Sequence, residues 1–374
     1  MKFIHTADWQ IGMTRHFLSE GAQERFAQAR FDAIRRLGQI AREEGCAFIA
    51  ACGDVFESNQ IDRKTVARAM DALKDVPVPV YLLPGNHDPL NYVSVFNSTT
   101  FKERKPAHVH VIANTDPIRI ADGVELIGIP WFAKGAAMDL MAPILAALAP
   151  AGRTTRIILG HGILDRLNPA PAAPGLIAAD GLEQALQAGK CHYIALGDRH
   201  SVTKVDAGGR IWYSGAPEAT DYNERSGFAL VVEIDGDAVQ TREVQTGKWQ
   251  FIERDRVDLN TPADIAALRE WLDRVANKEC AVVKLRLTGT LTLALHGELI
   301  QTLDTARDLL AAIEVRDNEL AVIPDDADFT DLAFSGFAGA AVACLRARAT
   351  ADTPEAAGAR DALMLLVRLA RSAQ

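Results

Sequence analysis

Long apolar runs are scarce in this chain. No stretch approaches the roughly 18 uninterrupted apolar residues of a membrane span, so no spanning helix is expected. The opening Met1-Lys2-Phe3-Ile4-His5-Thr6 turns polar too early to read as a secretion signal, and a cytoplasmic protein is the expectation. Cysteine is sparse as well. The five cysteines are odd in number and far apart, which argues against a disulfide framework or a zinc site; Cys46 and Cys52, flanking an apolar run, read as buried free thiols. Basic excess is also lacking. A formal net charge of −9 counts mildly against a nucleic-acid partner, although a local basic stripe can hide within an acidic total and a metal site concentrates carboxylates of its own.

What is present is a core-forming chain of 374 residues, 48% of them apolar, long enough for two or three units. A helix is expected from about Ala22 to Glu44, stopped by Gly45. A buried strand at 47–52, a helix at 63–74 and a strand at 78–83 follow. Strands at 125–129, 156–159 and 193–196, a helix at 136–148 and a hairpin turning at Asp235-Gly236-Asp237 continue the series, with a Pro/Ala-rich surface loop at 168–179. This β-loop-α rhythm implies a layered α/β domain whose inner strands are buried on both faces. Near residue 255 the grammar changes to helix 262–275, strand 281–287, helix 298–312 and strand 320–323. The expected division is residues 1–254, a small α+β unit at 255–325, and 326–374 as linker (Pro324 to Asp328 at its start) and C-terminal helix from Thr353, whose Leu363, Leu366, Val367 and Leu369 share a side.

The chemistry-bearing residues fall where those strands end: Asp8 with Gln10, Asp54, Asn86 with His87 and Asp88, His161, and Asp198 with His200. One Gly-Asp after a strand is ordinarily a turn, and one His is ordinarily a satisfied core or surface residue. Five such loops in succession are different, because strand ends of a layered sheet converge on one edge, where open α/β folds place ligands. Two-metal phosphodiester hydrolysis calls for these residue types. A bridging carboxylate and terminal oxygen and imidazole ligands hold two ions roughly 3.5–4 Å apart, and a nearby non-ligand imidazole protonates the leaving oxygen.

His5-Thr6-Ala7-Asp8-Trp9-Gln10, Gly53-Asp54-Val55-Phe56, Gly85-Asn86-His87-Asp88, Gly160-His161-Gly162 and Gly197-Asp198-Arg199-His200 resemble the five motifs of the calcineurin-like metallophosphoesterases. Within that group they most resemble DNA double-strand-break repair exonucleases of the SbcD type. Tyr213 to Glu218, continuing to Asp221-Tyr222-Asn223-Glu224, resembles a further landmark of those nucleases. The likeness spans about 1–250 and is looser over 255–325, where such nucleases carry a DNA-capping domain. It implies a four-layer α/β/β/α sandwich with an α+β cap. It gives one metal to Asp8, Gln10, Asp54 and His200 and a second to Asp54, Asn86, His161 and Asp198, with Asp54 bridging. His87 becomes the acid, and Asp88 the residue that orients it. The resemblance also implies DNA as substrate, a coiled-coil ATPase partner docked on the tail, and a homodimer. Where this chain has Gln10 and Asp198 the family usually has histidine. Both replacements keep an oxygen donor and make the site harder, which suits Mn²⁺ first and Mg²⁺ second.

Other residues carry two readings each. Trp9 stacks on a base or packs beside the site; Arg15 and His16 touch a phosphate or are solvated; Asn91 and Tyr92 narrow the cleft or start a helix. His108 and His110 read as structural. The tail helix docks a partner or packs on its own domain. Three functions compete: a DNA repair nuclease, a phosphodiesterase of nucleotides or small diesters, and a DNA-end-binding protein with a weakened metal site.

Overall fold

The computed structural model describes residues 1–168, 170, 175–323 and 336–349, with scattered positions between 351 and 366. Two compact units divide the chain at Gln250/Phe251. The expected linker at 324–328, part of the 168–179 loop, and Val367 and Leu369 of the tail lie outside the described residues.

In the first unit, strands β1 (Lys2–Thr6), β2 (Ile49–Cys52), β3 (Val80–Leu83) and β4 (Val109–Val111) run parallel. A second group comprises β5 (Ile118–Ala121), β6 (Val124–Gly128), β7 (Thr155–His161), β8 (Tyr193–Gly197), β9 (Thr203–Lys204) and β10 (Ile211–Tyr213). The hairpin β11 (Phe228–Asp235) and β12 (Ala238–Gln245) adds to the first sheet, giving the order β12-β11-β1-β2-β3-β4; the second sheet reads β5-β6-β7-β8-β10-β9. The sheets face each other over Phe3, Phe48, Cys52, Tyr81, Leu159 and Tyr193. Phe3 stacks on Phe48 at 4.8 Å and meets Tyr193 edge-on at 5.7 Å. Cys46 and Cys52 are buried and free.

Helices α1 (Glu20–Glu44), α2 (Arg63–Lys74) and α3 (Thr99–Arg104) cover the outer face of the first sheet through Phe31, Ile34, Leu37, Met70, Leu73 and Phe101. Helices α4 (Met141–Ala147) and α5 (Ala179–Gln187) cover the second through Met141, Leu145, Leu182 and Leu186. The result is a four-layer α/β/β/α sandwich. Ser19 starts α1 by accepting the Ala22 N–H, and Gly45 ends it at φ 65°, the left-handed conformation that favours glycine.

The helix expected at 136–148 begins only at Met141. Asp139 is the reason: its Oδ1 accepts the N–H groups of Met141 and Ala142 at 2.7 and 3.1 Å, and its Oδ2 takes the Ala178 N–H at 2.9 Å. A side chain occupied as a cap cannot lie within the helix it caps.

The second unit holds a three-stranded sheet of β13 (Gln250–Leu259), β14 (Ala281–Thr292) and β15 (Ala312–Ile323), with α6 (Pro262–Arg274) and α7 (Leu293–Leu309) on one face. The sequence reading placed no strand at β13, and it began α7 late and ran it into β15. Helix α8 (Gly336–Ala349) was likewise not anticipated. Leu363 of the tail is buried against Val342 of α8, with Leu293 and Leu366 beside it.

Candidate metal centre

Each functional loop leaves the carboxyl end of a buried strand. Asp8 and Gln10 follow β1, Asp54 follows β2, Asn86 to Asp88 follow β3, His161 closes β7, and Asp198 and His200 follow β8. Because the two sheets face each other, three of these loops from one sheet meet two from the other. Backbone bonds lock them at close range: Asp8 N–H to Gly53 O at 3.0 Å, Gln10 N–H to Asp54 O at 3.1 Å. Asp8, Gln10, Asp54 and Asp198 all have positive φ, at 53°, 49°, 51° and 94°. Such conformations cost non-glycine residues on the order of 1–3 kcal/mol each and persist where surrounding structure imposes them, characteristically at functional sites.

Ligand atoms of Asp8, Asp54 and His161 lie within 4.8 Å of one another, and all three residues are buried. His161 Nδ1 donates to the Cys52 carbonyl at 2.8 Å. That bond fixes the tautomer, so the Nε2 lone pair of a neutral ring faces Asn86 Oδ1 at 2.8 Å, Asp54 Oδ1 at 3.3 Å and Asp198 Oδ1 at 3.6 Å. Four electron-rich atoms in that arrangement need a proton or a cation among them. Burial disfavours the imidazolium, yet Asp54, Asp198 and Asp8 outweigh it and hold His161 well above the ordinary histidine range. Burial pushes the Asp8 carboxyl up to about 7, opposed by His200 and His161. Burial also raises Asp198, while at Asp54 the effect of burial is overcome by His161, which holds that carboxyl below its usual value.

On the other side, Gln10 Nε2 donates to Asp54 Oδ2 at 3.3 Å and stands 3.4 Å from His200 Nε2. Its carboxamide oxygen is buried and has no hydrogen-bond partner, an arrangement that normally costs about 1–3 kcal/mol. An orphaned oxygen, an imidazole lone pair turned toward three oxygens and a shared carboxylate make a donor set that fits divalent cations. Asp198 also anchors the opposite loop, its N–H donating to both Asp8 carboxylate oxygens at 3.1 and 3.2 Å.

His87 sits at the edge of this cluster. Its N–H donates to Asp54 Oδ1 at 3.0 Å, and its Nδ1 donates to the Glu57 carbonyl at 2.9 Å. With Nδ1 carrying that proton, Nε2 is the nitrogen left to exchange one. Its side chain is 37% exposed, so a substrate can reach it. Asp88, expected to orient His87, does something else: its carboxylate takes the Phe56 N–H at 3.0 Å and the Gly85 N–H at 2.7 Å. The residue that holds the His87 ring is Glu57, through its backbone carbonyl, a contact no side-chain pattern announces.

Three further residues shape the site. Glu224 Oε1 lies 3.1 Å from His200 Nδ1, and Thr220 Oγ1 lies 2.8 Å from the same atom. The Glu224–Thr220 hydrogen bond and the Asp221 N–H at 3.0 Å fix the second carboxylate oxygen. In sequence, Glu224 is only the last residue of the landmark after Tyr213. Trp131 donates its indole N–H to the His161 carbonyl at 2.8 Å and was not singled out at all. Arg15 is half-buried: its guanidinium donates to the Thr220 carbonyl and pairs with Asp221 at 3.3 Å. Trp9 is only 2% exposed and donates to Thr6 Oγ1 at 3.0 Å, so it packs. His5, buried between the sheets, is held near pKa 3 by desolvation and bridges Tyr193 and the Leu196 carbonyl at 3.0 and 3.1 Å.

Several known proteins are similar to this chain. The SbcD subunit of the nuclease SbcCD from Rhodobacter capsulatus is 26% identical over 258 residues, covering 58% of this chain and 62% of that one. The DNA double-strand break repair protein Mre11 of Saccharolobus solfataricus is 24% identical over 238 residues, covering 61% and 57%. This chain therefore spans roughly three-fifths of the length of these relatives. Among solved structures, TT1561 of Thermus thermophilus aligns with a TM-score of 0.42 at 9% identity, covering 66% of this chain and 98% of that one. The sequence profile of the calcineurin-like phosphoesterases matches residues 1–202, the stretch that supplies every residue of the cluster. A phosphoester-hydrolase profile over the same residues that converge on a buried cation-binding cluster places this chain in the calcineurin-like phosphoesterase family.

Proposed function

We propose that this protein is a metal-dependent DNA exonuclease of the repair type, with single-strand endonuclease character, acting through two divalent ions, Mn²⁺ in preference to Mg²⁺. The observation that carries the reading is the pairing of a buried N/O donor cluster with one reachable imidazole, His87, beside it. Asp8, Gln10, Asp54 and His200 would hold one ion, and Asp54, Asn86, His161 and Asp198 the other, with Asp54 shared. Bound there, the ions supply charge neutralisation on the phosphate oxygens and lower the pKa of the attacking water. His87 delivers a proton from Nε2 to the leaving oxygen. Glu57 holds the ring so that Nε2 faces the substrate. Asp88 keeps the loop carrying Asn86 and His87 against the loop carrying Asp54.

DNA as substrate is supported by the relatives, one part of a nuclease and the other a double-strand break repair protein. The oxygen-rich donor set, with Gln10 and Asp198 in it, supports Mn²⁺ or Mg²⁺ over softer ions. The Rhodobacter relative is by name one subunit of the nuclease SbcCD, which supports a partner subunit for this chain; the resemblance of its motifs extends the proposal to a coiled-coil ATPase as that partner and to a homodimer. Among the described residues no helix is long and apolar enough to cross a membrane.

End-labelled linear duplex and single-stranded DNA, incubated with Mn²⁺ beside bis(p-nitrophenyl) phosphate, tests the assignment. The wild type degrades DNA, and His87→Ala loses at least about a hundredfold in rate while still binding Mn²⁺. Hydrolysis of the small diester with no action on DNA would instead show a phosphodiesterase of small substrates.

A further inference from the structure

The first unit exposes few large apolar side chains. Among its described residues they are Phe17, Tyr92, Val93, Phe132 and Met138. Scattered singly, such residues are ordinary surface. Four of the five lie in chain segments next to residues of the centre. Phe17 follows the Asp8–Gln10 loop, Tyr92 and Val93 follow Asn86–Asp88, and Phe132 is next to Trp131, the residue bonded to the His161 carbonyl.

The backbone holds two of these segments together. Leu90 N–H donates to the Trp131 carbonyl at 2.8 Å, and Trp131 N–H donates to the Pro84 carbonyl at 3.1 Å. Tyr92 and Phe132 therefore emerge from neighbouring positions beside the loop that carries Asn86 and His87. Tyr92 is 93% exposed and Phe132 is 55% exposed. From His87 to Tyr92 the chain can span no more than about 18 Å even when fully extended. Lys134, also exposed, follows Phe132.

Resting on the nuclease reading, we propose that Tyr92 and Phe132 form a stacking platform for the unpaired bases of a single-stranded DNA end, next to the metal centre. Aromatic rings stack on any base because every base has a π-face, which gives affinity without sequence preference, and a neighbouring cation meets the backbone phosphate. A duplex keeps those faces against one another and offers the rings nothing comparable. The platform thus favours frayed or single-stranded ends and places the phosphate next to the bound nucleotide at the centre. Trp9, the aromatic closest to the ligands in sequence, cannot take this role because it is buried.

The test uses the full chain with Mn²⁺ and a fluorescein-labelled oligothymidylate, binding being read in the His87→Ala background to prevent turnover. Tyr92→Ala and Phe132→Ala each weaken single-strand binding about tenfold, within the range found when a stacking ring is removed. A blunt hairpin duplex loses less, and Tyr92→Phe binds as the parent does. With His87 intact, the same alanine variants raise KM for the oligonucleotide and leave turnover of bis(p-nitrophenyl) phosphate unchanged, which also reports that they fold. Unchanged single-strand binding in a protein that still cuts DNA overturns the platform and leaves the nuclease standing. An equal loss on the small diester overturns it too, since the residues then serve the centre itself. Turnover of the small diester with neither binding nor cutting of DNA removes the nuclease reading and the platform with it.

Discussion

Glu224 holds the imidazole of His200: its Oε1 lies 3.1 Å from Nδ1, while its other oxygen is tied to Thr220 and the Asp221 amide. The ring is thereby turned so that Nε2 faces the Gln10 carboxamide, whose nitrogen also donates to the carboxylate of Asp54. Removing a carboxylate that orients a histidine ligand typically costs 10–100-fold in metal affinity. Glu224→Ala is expected to weaken one class of Mn²⁺ site by about that factor, and Glu224→Gln by less, because a carboxamide oxygen still accepts from Nδ1. Titration of Mn²⁺ by electron paramagnetic resonance separates the two classes. Equal affinity at both sites in Glu224→Ala would remove the assigned role.

Glycine at 85 is a steric requirement of the centre. A Cβ there would stand 2.2 Å from Asp54 Oδ1 and 2.5 Å from Asp54 N. Neither atom can withdraw without disturbing the shared carboxylate. Gly85→Ala is expected to abolish stoichiometric Mn²⁺ binding, measured by calorimetry, in a protein whose circular dichroism is unchanged. Gly297 in α7 provides the contrast, since a Cβ there meets nothing within 4 Å. Gly297→Ala should stabilise the helix by about 0.5–1 kcal/mol, read from chemical denaturation.

The titrating groups of the centre predict opposite pH slopes with and without metal. Burial pushes the carboxyls of Asp8 and Asp88 up to about 7. At His200 burial opposes the charged form, but Glu224 and Asp8 outweigh it and push the ring up to about 9. Each folded-state value exceeds its ordinary one, so the folded protein binds more protons than the unfolded chain between about pH 4 and 9, and stability falls as pH rises through that window. Metal binding needs Asp8 and His200 deprotonated and releases their protons, so affinity rises with pH over the upper part of the same range. Scanning calorimetry with chelator should show Tm falling from pH 6 to 9. With saturating Mn²⁺ the Tm gap over the metal-free protein should widen across those pH values. A gap that narrows with pH would contradict the assignment of Asp8 and His200 as ligands.

Gln10 and Asp198 stand where histidine is usual in the nucleases this chain resembles. Both supply oxygen toward the cluster, Gln10 through an orphaned carboxamide oxygen and Asp198 through Oδ1 beside His161. The double variant Gln10→His with Asp198→His is expected to gain affinity for Zn²⁺, with the rate in saturating Mn²⁺ changing by no more than about threefold (under 1 kcal/mol of barrier). A gain of an order of magnitude in Mn²⁺ would mean that the native site is weakened rather than retuned.

Much of the centre is legible in the chain because strand ends announce themselves. A run such as Ala47 to Cys52 is too apolar to face water, and the Gly53-Asp54 that follows must leave the sheet at its edge. The same rule locates Asp8, Asn86, His161 and Asp198. Helix limits were less legible where a side chain had two possible uses: Asp139 reads as part of a helix and serves as its cap. In the second unit, β13 carries too irregular an alternation to stand out, since its pattern of burial is itself irregular.

The sequence by itself determined which residues could ligate a cation, because donor type and position after an apolar strand are local properties. It also announced a layered α/β domain, through strand periodicity and the punctuation of glycine and aspartate, while the pairing of two sheets followed only from the resemblance of its motifs. Tertiary structure alone decided who holds whom. Glu57 offers His87 a backbone carbonyl, Asp88 ties down Phe56 and Gly85 instead of His87, and Glu224 reaches His200. These contacts depend on the packing of two sheets against each other, and a backbone carbonyl carries no residue-specific mark in sequence. Packing is likewise what buries Trp9 and leaves Tyr92 in solvent, because burial is set by the elements that fold over a ring and not by the ring itself.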